Sequence, residues 1–495
     1  MGPPVALVAF VVGGASLGAE IAAARLLAPW FGASTIVWAN TIATVLVGLS
    51  IGYWIGGRLA DRDPTMRGLC KIVLAAAVLL AAVPFVAGPF LRISVDALDS
   101  VEAGAFAGSL IGVLVLIAVP LILLGIVAPY AVRLAVTSVE EAGRVSGRLY
   151  AISTIGSLVG VFLSSLLLIP LLGTRRTFLF FALALALVAV WGLARRAALL
   201  APAVVALLLV IPVGTVKATG DRKVIWEKET EYQYARVVED ESDGERTLEL
   251  NEGQAIHSQY TPGQWLTGNY WDELLVLPTL MRGAPPRTMA VLGNAAGTTV
   301  RQYGHYFPQT RMDAVEIDGD LSEVGRELFD MRAPHLKVHT ADARPYLRQD
   351  DRRYDTILVD AYRQPYIPFY LSTKEFFALV RKRLNPGGVV VINVGHPEGS
   401  NDLEKVLAAT MRTSFPTVLR DPSADVSTML VGLTAPRSTA PPAAVLPAAL
   451  VPAGREAEAR LTPALPGGAV YTDDHAPVEW LIDASIVQVA ADGER

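Results

Sequence analysis

A run of small residues, Gly293-Asn294-Ala295-Ala296-Gly297-Thr298-Thr299, follows the apolar stretch Met289-Ala290-Val291-Leu292. Glycines in such a turn let a ligand approach the main chain, and the helix start that follows offers unpaired N–H groups. Acidic positions recur at the ends of later apolar runs: Glu316-Ile317-Asp318, Asp342-Ala343 and Asp360-Ala361-Tyr362. Glu316 stands 23 residues after Gly293, close to the roughly 20-residue offset at which an acid grips ribose hydroxyls. Asp360 has the chemistry to position an attacking group and accept its proton. The plainer alternatives are a solvated strand-end carboxylate at Glu316 and a purely positioning carboxylate at Asp360.

These positions need a scaffold. Residues 289–292 read as a buried strand, and residues 311–315, 336–339 and 356–359 as strands running out at Glu316, Asp342 and Asp360. A helix over 373–384 leads through Asn385-Pro386-Gly387-Gly388 into a fifth strand at 389–394. Strands alternating with helices predict a doubly wound parallel sheet, whose ligands sit beyond the carboxyl ends of the strands. Upstream, residues 235–238 and 247–250 flank the turn Ser242-Asp243-Gly244, a hairpin pattern, and residues 271–281 carry an apolar helical face.

The first 214 residues are different. The chain as a whole is 52% hydrophobic and only 18% charged, with a mean hydropathy of +0.41, against about 25% charged for a soluble protein. Ala, Val, Leu, Ile and Gly dominate this half. Candidate spans fall near 4–24, 35–57, 71–92, 106–132, 148–172, 177–194 and 197–214, about seven in number. The first lacks the basic start and cleavage site of a signal peptide. Arg58, Arg62 and Arg67 mark one loop and Arg133, Arg144 and Arg148 another, whereas the loop between carries Asp96, Asp99 and Glu102. Lys/Arg bias therefore puts the N-terminus in the cytoplasm, together with Arg195 and Arg196. Seven spans would leave the C-terminal half outside; a re-entrant final stretch returns it to the cytoplasm, which is the expected location. Glu20 and Arg25, in or at the end of the first span, read as a polar path, a structural ion pair or interfacial anchoring. Gly156-Ser157-Leu158-Val159-Gly160 suits close helix packing.

Composition removes other functions. A net charge of −5 gives no dense cationic surface for nucleic acid. Cys70 is the single cysteine, and the six histidines show no zinc-like spacing, so neither a disulfide nor a metal site is expected. The expected organisation is a multi-pass α-helical membrane domain over 1–215 followed by an α/β Rossmann-like domain. The latter comprises a small β-rich part over 216–280 and a donor-binding part over 281–434. A Pro/Ala-rich linker over 435–468 and a C-terminal segment over 469–495 follow.

From about Tyr232 to Val394 the chain resembles the spermidine synthases, aminopropyltransferases related in fold to methyltransferases. With the segments Gly57-Arg58-Leu59-Ala60-Asp61-Arg62 and Gly147-Arg148-Leu149-Tyr150-Ala151, the whole resembles the fused transporter-like/spermidine synthase proteins of bacteria. The resemblance implies decarboxylated S-adenosylmethionine as donor, or S-adenosylmethionine in a methyltransferase alternative. It implies an amine acceptor and a membrane-anchored enzyme; a non-catalytic transporter or sensor is the other alternative. Expected partners are the bilayer, a small amine and a second copy of the chain. By the same resemblance Gln233, Gly293, Gly297, Glu316, Asp318, Asp342 and Ala343 serve the donor, and Asp360 is the catalytic acid–base group. Gln254, Tyr270 and Asp272 fall on the acceptor side.

Departures also fall on the acceptor side. Ala296 replaces an aspartate of the family's glycine turn, Trp271 and Asp272 stand in its Tyr-His-Glu helix start, and Arg363 replaces a second aspartate of its catalytic loop. Reversing one charge about 4 Å away, at an effective dielectric of about 20, costs a polycationic amine several kcal/mol. The late segment Tyr471-Thr472-Asp473-Asp474-His475-Ala476-Pro477-Val478-Glu479 resembles one in the fused proteins. Asp473, Asp474 and Glu479 are candidates to restore acceptor-binding carboxylates, the alternative being a helix cap at Thr472 or Asp473.

Overall fold

The computed structural model describes residues 3–31, 35–99, 104–193, 196–211, 216, 222–251, 253, 255–362, 367–482 and 484–485. The chain forms two compact units, Met1–Ala218 with Glu227–Tyr234, and Thr219–Trp226 with Ala235–Arg495.

The first unit is helical. Helices α1 (Val5–Phe31), α2 (Thr35–Arg62), α3 (Met66–Asp99) and α4 (Gly104–Ala135) follow one another along the chain. Helix α5 (Val139–Leu163) passes through a π-helical turn, Ser164–Leu168, into α6 (Ile169–Leu172), and Gly173 separates this from α7 (Thr174–Leu193). Helix α8 (Leu200–Val210) follows. Glycines set the packing of α1 on α5: a Cβ on Gly156 would overlap the main chain of Phe10, and one on Gly160 that of Gly14. Ser157 Oγ adds a 3.1 Å hydrogen bond to the Gly13 carbonyl. Close helix approach through small residues is the expected membrane device. The Arg25 guanidinium donates to the carbonyls of Thr230 and Glu231.

Among the described residues, six helices are long and apolar enough to cross a membrane. The α-helix described within the seventh expected span, α8, has 11 residues, about 16 Å of helix against a hydrocarbon core of about 30 Å. Its flanks nonetheless lie at opposite ends of the bundle. Gly192, before it, packs beside Cys70 and Pro3, whereas Val216, after it, lines a cavity with Arg92 and Arg176.

The second unit opens with a four-stranded sheet of order β1 (Lys223–Glu229), β2 (Tyr234–Glu239), β3 (Arg246–Leu250) and β4 (Ile256–Tyr260). The expected hairpin is β2–β3, antiparallel, with Ala235 opposite Leu250. Helix α9 (Trp271–Arg282) ends at Gly283 in a left-handed conformation, a residue type that adopts it without a Cβ penalty. Then come β5 (Thr288–Leu292), α10 (Thr298–Tyr306), β6 (Arg311–Glu316), α11 (Gly319–Leu328), β7 (Leu336–Thr340), α12 (Ala343–Gln349), β8 (Tyr354–Val359), α13 (Lys374–Arg383), β9 (Leu384–Gly395), α14 (Asp402–Met411), β10 (Thr417–Ala424) and β11 (Ser427–Leu433). Strands β7, β6, β5, β8 and β9 are parallel and adjacent in that order, and β11 and β10 extend the sheet antiparallel. The mixed eight-stranded sheet thus contains the doubly wound core. Its switch point lies between β5 and β8, where connections depart to opposite sides.

Residues 435–468 are not a loose linker. They form α15 (Pro442–Val445), α16 (Val451–Arg460) and β12 (Thr462–Pro463), which pairs with β10. Leu446, Leu450 and Ala457 are buried with α9 and the sheet. Arg460 reaches Asp421 at 2.6 Å and Glu273 at 2.9 Å. A Pro/Ala-rich composition resembles a linker, but its leucines are spaced to cover one face of the sheet.

Candidate active site

The loop after β5 is built by conformation. Gly293, Ala295 and Gly297 all have positive φ, at 84°, 46° and 92°. A Cβ on Gly293 would overlap the Asp360 carbonyl, and one on Gly297 the Met331 side chain. Glycine is thus required at both positions, for backbone angle and for space. Strand β4 braces the loop: Ala296 N–H donates to Ser258 Oγ at 2.9 Å, and Gln259 N–H to Thr298 Oγ1 at 2.8 Å.

Glu316 closes one side of this loop. Its carboxylate is buried and accepts from the N–H groups of Asn294 (3.2 Å), Ala295 (2.8 Å) and Asp318 (3.0 Å). Burial pushes its pKa up, and the three N–H groups oppose that shift. The free-state hydrogen bonds hold the carboxylate against the loop where a sugar edge would lie. Asp318 caps α11 by accepting from Asp320 N–H at 3.1 Å. Asp342 caps α12 by accepting from Arg344 N–H at 3.0 Å and also takes the Tyr370 hydroxyl at 2.7 Å. Ala343 is the buried first residue of that helix. Main-chain cradle and strand-end carboxylates together fit a nucleoside bearing hydroxyls.

Asp360 lies across the same glycine. Its N–H donates to the Leu292 carbonyl at 2.8 Å, so β6 and β8, the two neighbours of β5, present Glu316 and Asp360 on the two flanks of Gly293. Tyr270 OH donates to Asp360 Oδ2 at 3.1 Å and Asn393 Nδ2 to Oδ1 at 2.9 Å. The surrounding protein strips water from this carboxylate and raises its pKa to about 6, against the lowering pull of Asn393 and Tyr270. Burial and the neighbouring Asp360 charge push the Tyr270 hydroxyl upward, so it stays a proton donor.

Asn393 was not singled out by its sequence context, nor was Ser427, whose hydroxyl donates to Asn393 Oδ1 at 2.8 Å. That bond fixes which way the amide points. Both residues border a cavity of about 540 Å³ with Tyr270, Tyr362, His257 and Ile482. Tyr362 bonds the Asn393 carbonyl at 2.9 Å.

Other expected acceptor-side residues are employed elsewhere. The Asp272 carboxylate is buried and takes four donors, Thr267 N–H and Oγ1, Gly268 N–H and Gln302 Nε2; it ties a loop to α10. Asp473 forms a two-pronged pair with Arg344, at 2.8 and 2.6 Å, and accepts from Thr373 Oγ1 at 2.7 Å. It anchors the C-terminal segment. Asp474 is exposed and Glu479 half-buried, and neither borders the cavity; Ile482 is the residue of that segment that does. Trp271 is buried and stacks on Tyr270 with centroids 4.3 Å apart. Ala296 is fully buried in an apolar cluster with Leu321 and Phe329, a setting that would leave an aspartate side chain without water. Gln233, in the stretch assigned to the helical unit, has its main chain locked to Thr230 by bonds of 2.8–3.1 Å. Gln254 and Arg363 lie outside the described residues.

Residues 270–431 match the family model described as spermine/spermidine synthase domain. A probable polyamine aminopropyl transferase of Bifidobacterium longum (strain NCC 2705) is 35% identical over 200 residues, covering 40% of this chain and 44% of that protein. A polyamine aminopropyltransferase of Vibrio vulnificus (strain CMCP6) is 32% identical over 145 residues, covering 28% and 48%. The chain thus spans less than half the length of these two relatives. A crystal structure of a probable spermidine synthase from Corynebacterium glutamicum ATCC 13032 aligns at 21% identity and a TM-score of 0.40, covering 50% of this chain and 98% of that one.

Proposed function

We propose that this chain, whose residues 270–431 carry a spermine/spermidine synthase domain, transfers an aminopropyl group from decarboxylated S-adenosylmethionine to an amine. Support comes from one arrangement: Glu316 and Asp360 flank the glycine loop, and the Asp360 partners Tyr270 and Asn393 open onto a cavity. The donor supplies a sulfonium, whose adjacent carbon is electrophilic and whose sulfur departs with the C–S bonding pair. The acceptor nitrogen forms the new C–N bond with its lone pair. Asp360, ionised above pH about 6, attracts that nitrogen and takes the proton it sheds. Tyr270 and Asn393 hold the carboxylate so that both oxygens keep their orientation through the step.

Methyl transfer from S-adenosylmethionine is the second reading. It is favoured by cavity walls of aromatic and amide side chains, Tyr270, Tyr362 and Asn393, which suit an acceptor of low charge. Purified protein given each donor in turn distinguishes the two. Methylthioadenosine marks aminopropyl transfer and S-adenosylhomocysteine marks methyl transfer; neither product with either donor overturns both in favour of a binding role.

The donor is made in the cytoplasm, so aminopropyl transfer requires the catalytic unit to face that side. With an odd number of crossings the basic loops would then face outward, against the Lys/Arg bias. Protease protection of a tag at residue 300 decides between enzyme chemistry and charge bias.

A further inference from the structure

We propose that a cavity at one end of the helical unit binds the phosphate headgroup of an anionic phospholipid. The cavity, about 810 Å³, is lined by Arg92, Arg175 and Arg176 beside Trp30 and Phe85. Arg92 and Arg176 form no ion pair with an acidic side chain among the described residues. The Arg176 Nε is buried without an acceptor, and Arg175 lies over the Phe85 ring at 4.4 Å.

The carboxylates in the same wall are already committed. Glu229 accepts the Thr174 N–H at 2.5 Å, and Glu227 accepts the Val216 N–H at 3.1 Å and the Tyr234 hydroxyl at 2.7 Å. Burial pushes the Glu229 carboxyl upward, which reduces the countercharge it offers. Arg175 and Arg176 also occupy the first turn of α7, where the helix dipole presents positive charge and cations are disfavoured. Three arginines therefore converge where their own charges and the dipole repel one another, a cost that an anion removes. Guanidinium groups match phosphate oxygens in geometry and in charge.

The rim specifies a lipid. Ile93, Leu171 and Phe85 line the cavity and are exposed by 69%, 73% and 37%. On helices able to cross a bilayer, these side chains offer apolar surface along which acyl chains can run while the headgroup meets the arginines.

Native mass spectrometry of the full chain in detergent, with phosphatidylglycerol or phosphatidylcholine added, tests this. Wild type is expected to carry phosphatidylglycerol adducts, R175Q/R176Q less than a tenth as many, and R175K/R176K and R144Q/R148Q close to the wild-type number. If R175Q/R176Q does not elute as a folded species, R92Q replaces it, with at least a threefold loss expected. Undiminished adducts in the glutamine variants, or equal phosphatidylcholine adducts, overturn the proposal. So does displacement of phosphatidylglycerol by millimolar inorganic phosphate that itself remains bound, which would mark a site for a free anion.

Discussion

The Asn393 amide donates to the Asp360 carboxylate across 2.9 Å, and its own oxygen is held by Ser427 at 2.8 Å. The amide is therefore oriented before any ligand arrives. Asp360 sits at the end of β8, whereas Asn393 and Ser427 come from β9 and β11, paired strands on one side of it. Orientation of the Asp360 carboxylate is thus a property of the sheet.

Replacing Asp360 with Asn is expected to lower turnover by about 10²-fold or more while leaving donor affinity within a factor of about three. Product formation and calorimetric donor binding read the two separately. Full activity in this variant would remove Asp360 from its role as base.

The pH dependence has a definite sign. Asp360 is raised from 3.8 to about 6 in the folded protein, so kcat/KM should climb with pH through about 6 as the base ionises. The same shift stabilises the fold fully only below pH 3.8, and that contribution is lost as pH rises through 6. A shift of about 2 units corresponds to at most about 3 kcal/mol. Asp360→Asn should therefore unfold at a higher temperature than wild type at pH 8 and at nearly the same temperature at pH 4.

Asn393→Leu removes a hydrogen bond that lowers the Asp360 pKa. The midpoint of the pH–rate profile should move above 6, and the rate above that midpoint should fall about tenfold, the effect of roughly 1.4 kcal/mol. A fall in rate with an unmoved midpoint would assign Asn393 a purely structural part.

Asp473→Ala unpins the C-terminal segment from the buried Arg344. Asp473 is 47% exposed, so solvent screening limits the loss to about 1–2 kcal/mol. Limited proteolysis should cut near 471–482 earlier than in wild type, with thermal unfolding a few degrees lower. Unchanged protection would contradict the anchoring role.

Gly192 and Val216 lie at opposite ends of the helical unit. Tags at the N-terminus and at residue 300 should accordingly report opposite accessibility in sealed vesicles. Equal accessibility would mean that α8 turns back.

The glycine loop and the acids at 316, 342 and 360 were legible because each closes an apolar strand, a pattern that sequence preserves. Asn393 was hidden inside such a run, Val391-Ile392-Asn393-Val394, where a polar residue betrays nothing of its partners on the two neighbouring strands. Asp272 and Asp473 misled for the converse reason. A carboxylate is recognisable by type, but the donors that saturate it come from residues 302 and 344, and only the fold brings those close. The last expected span showed the limit of span counting, since α8, the helix described within it, has only 11 residues.

Ile482 supplies a wall of the cavity beside Asp360, yet it is translated long after every helix of the first unit and after all but the tail of the second. A nascent chain can insert its spans and wind its parallel sheet before that wall exists. Order of synthesis thus leaves the cavity beside Asp360 without one of its walls until Ile482 has been added.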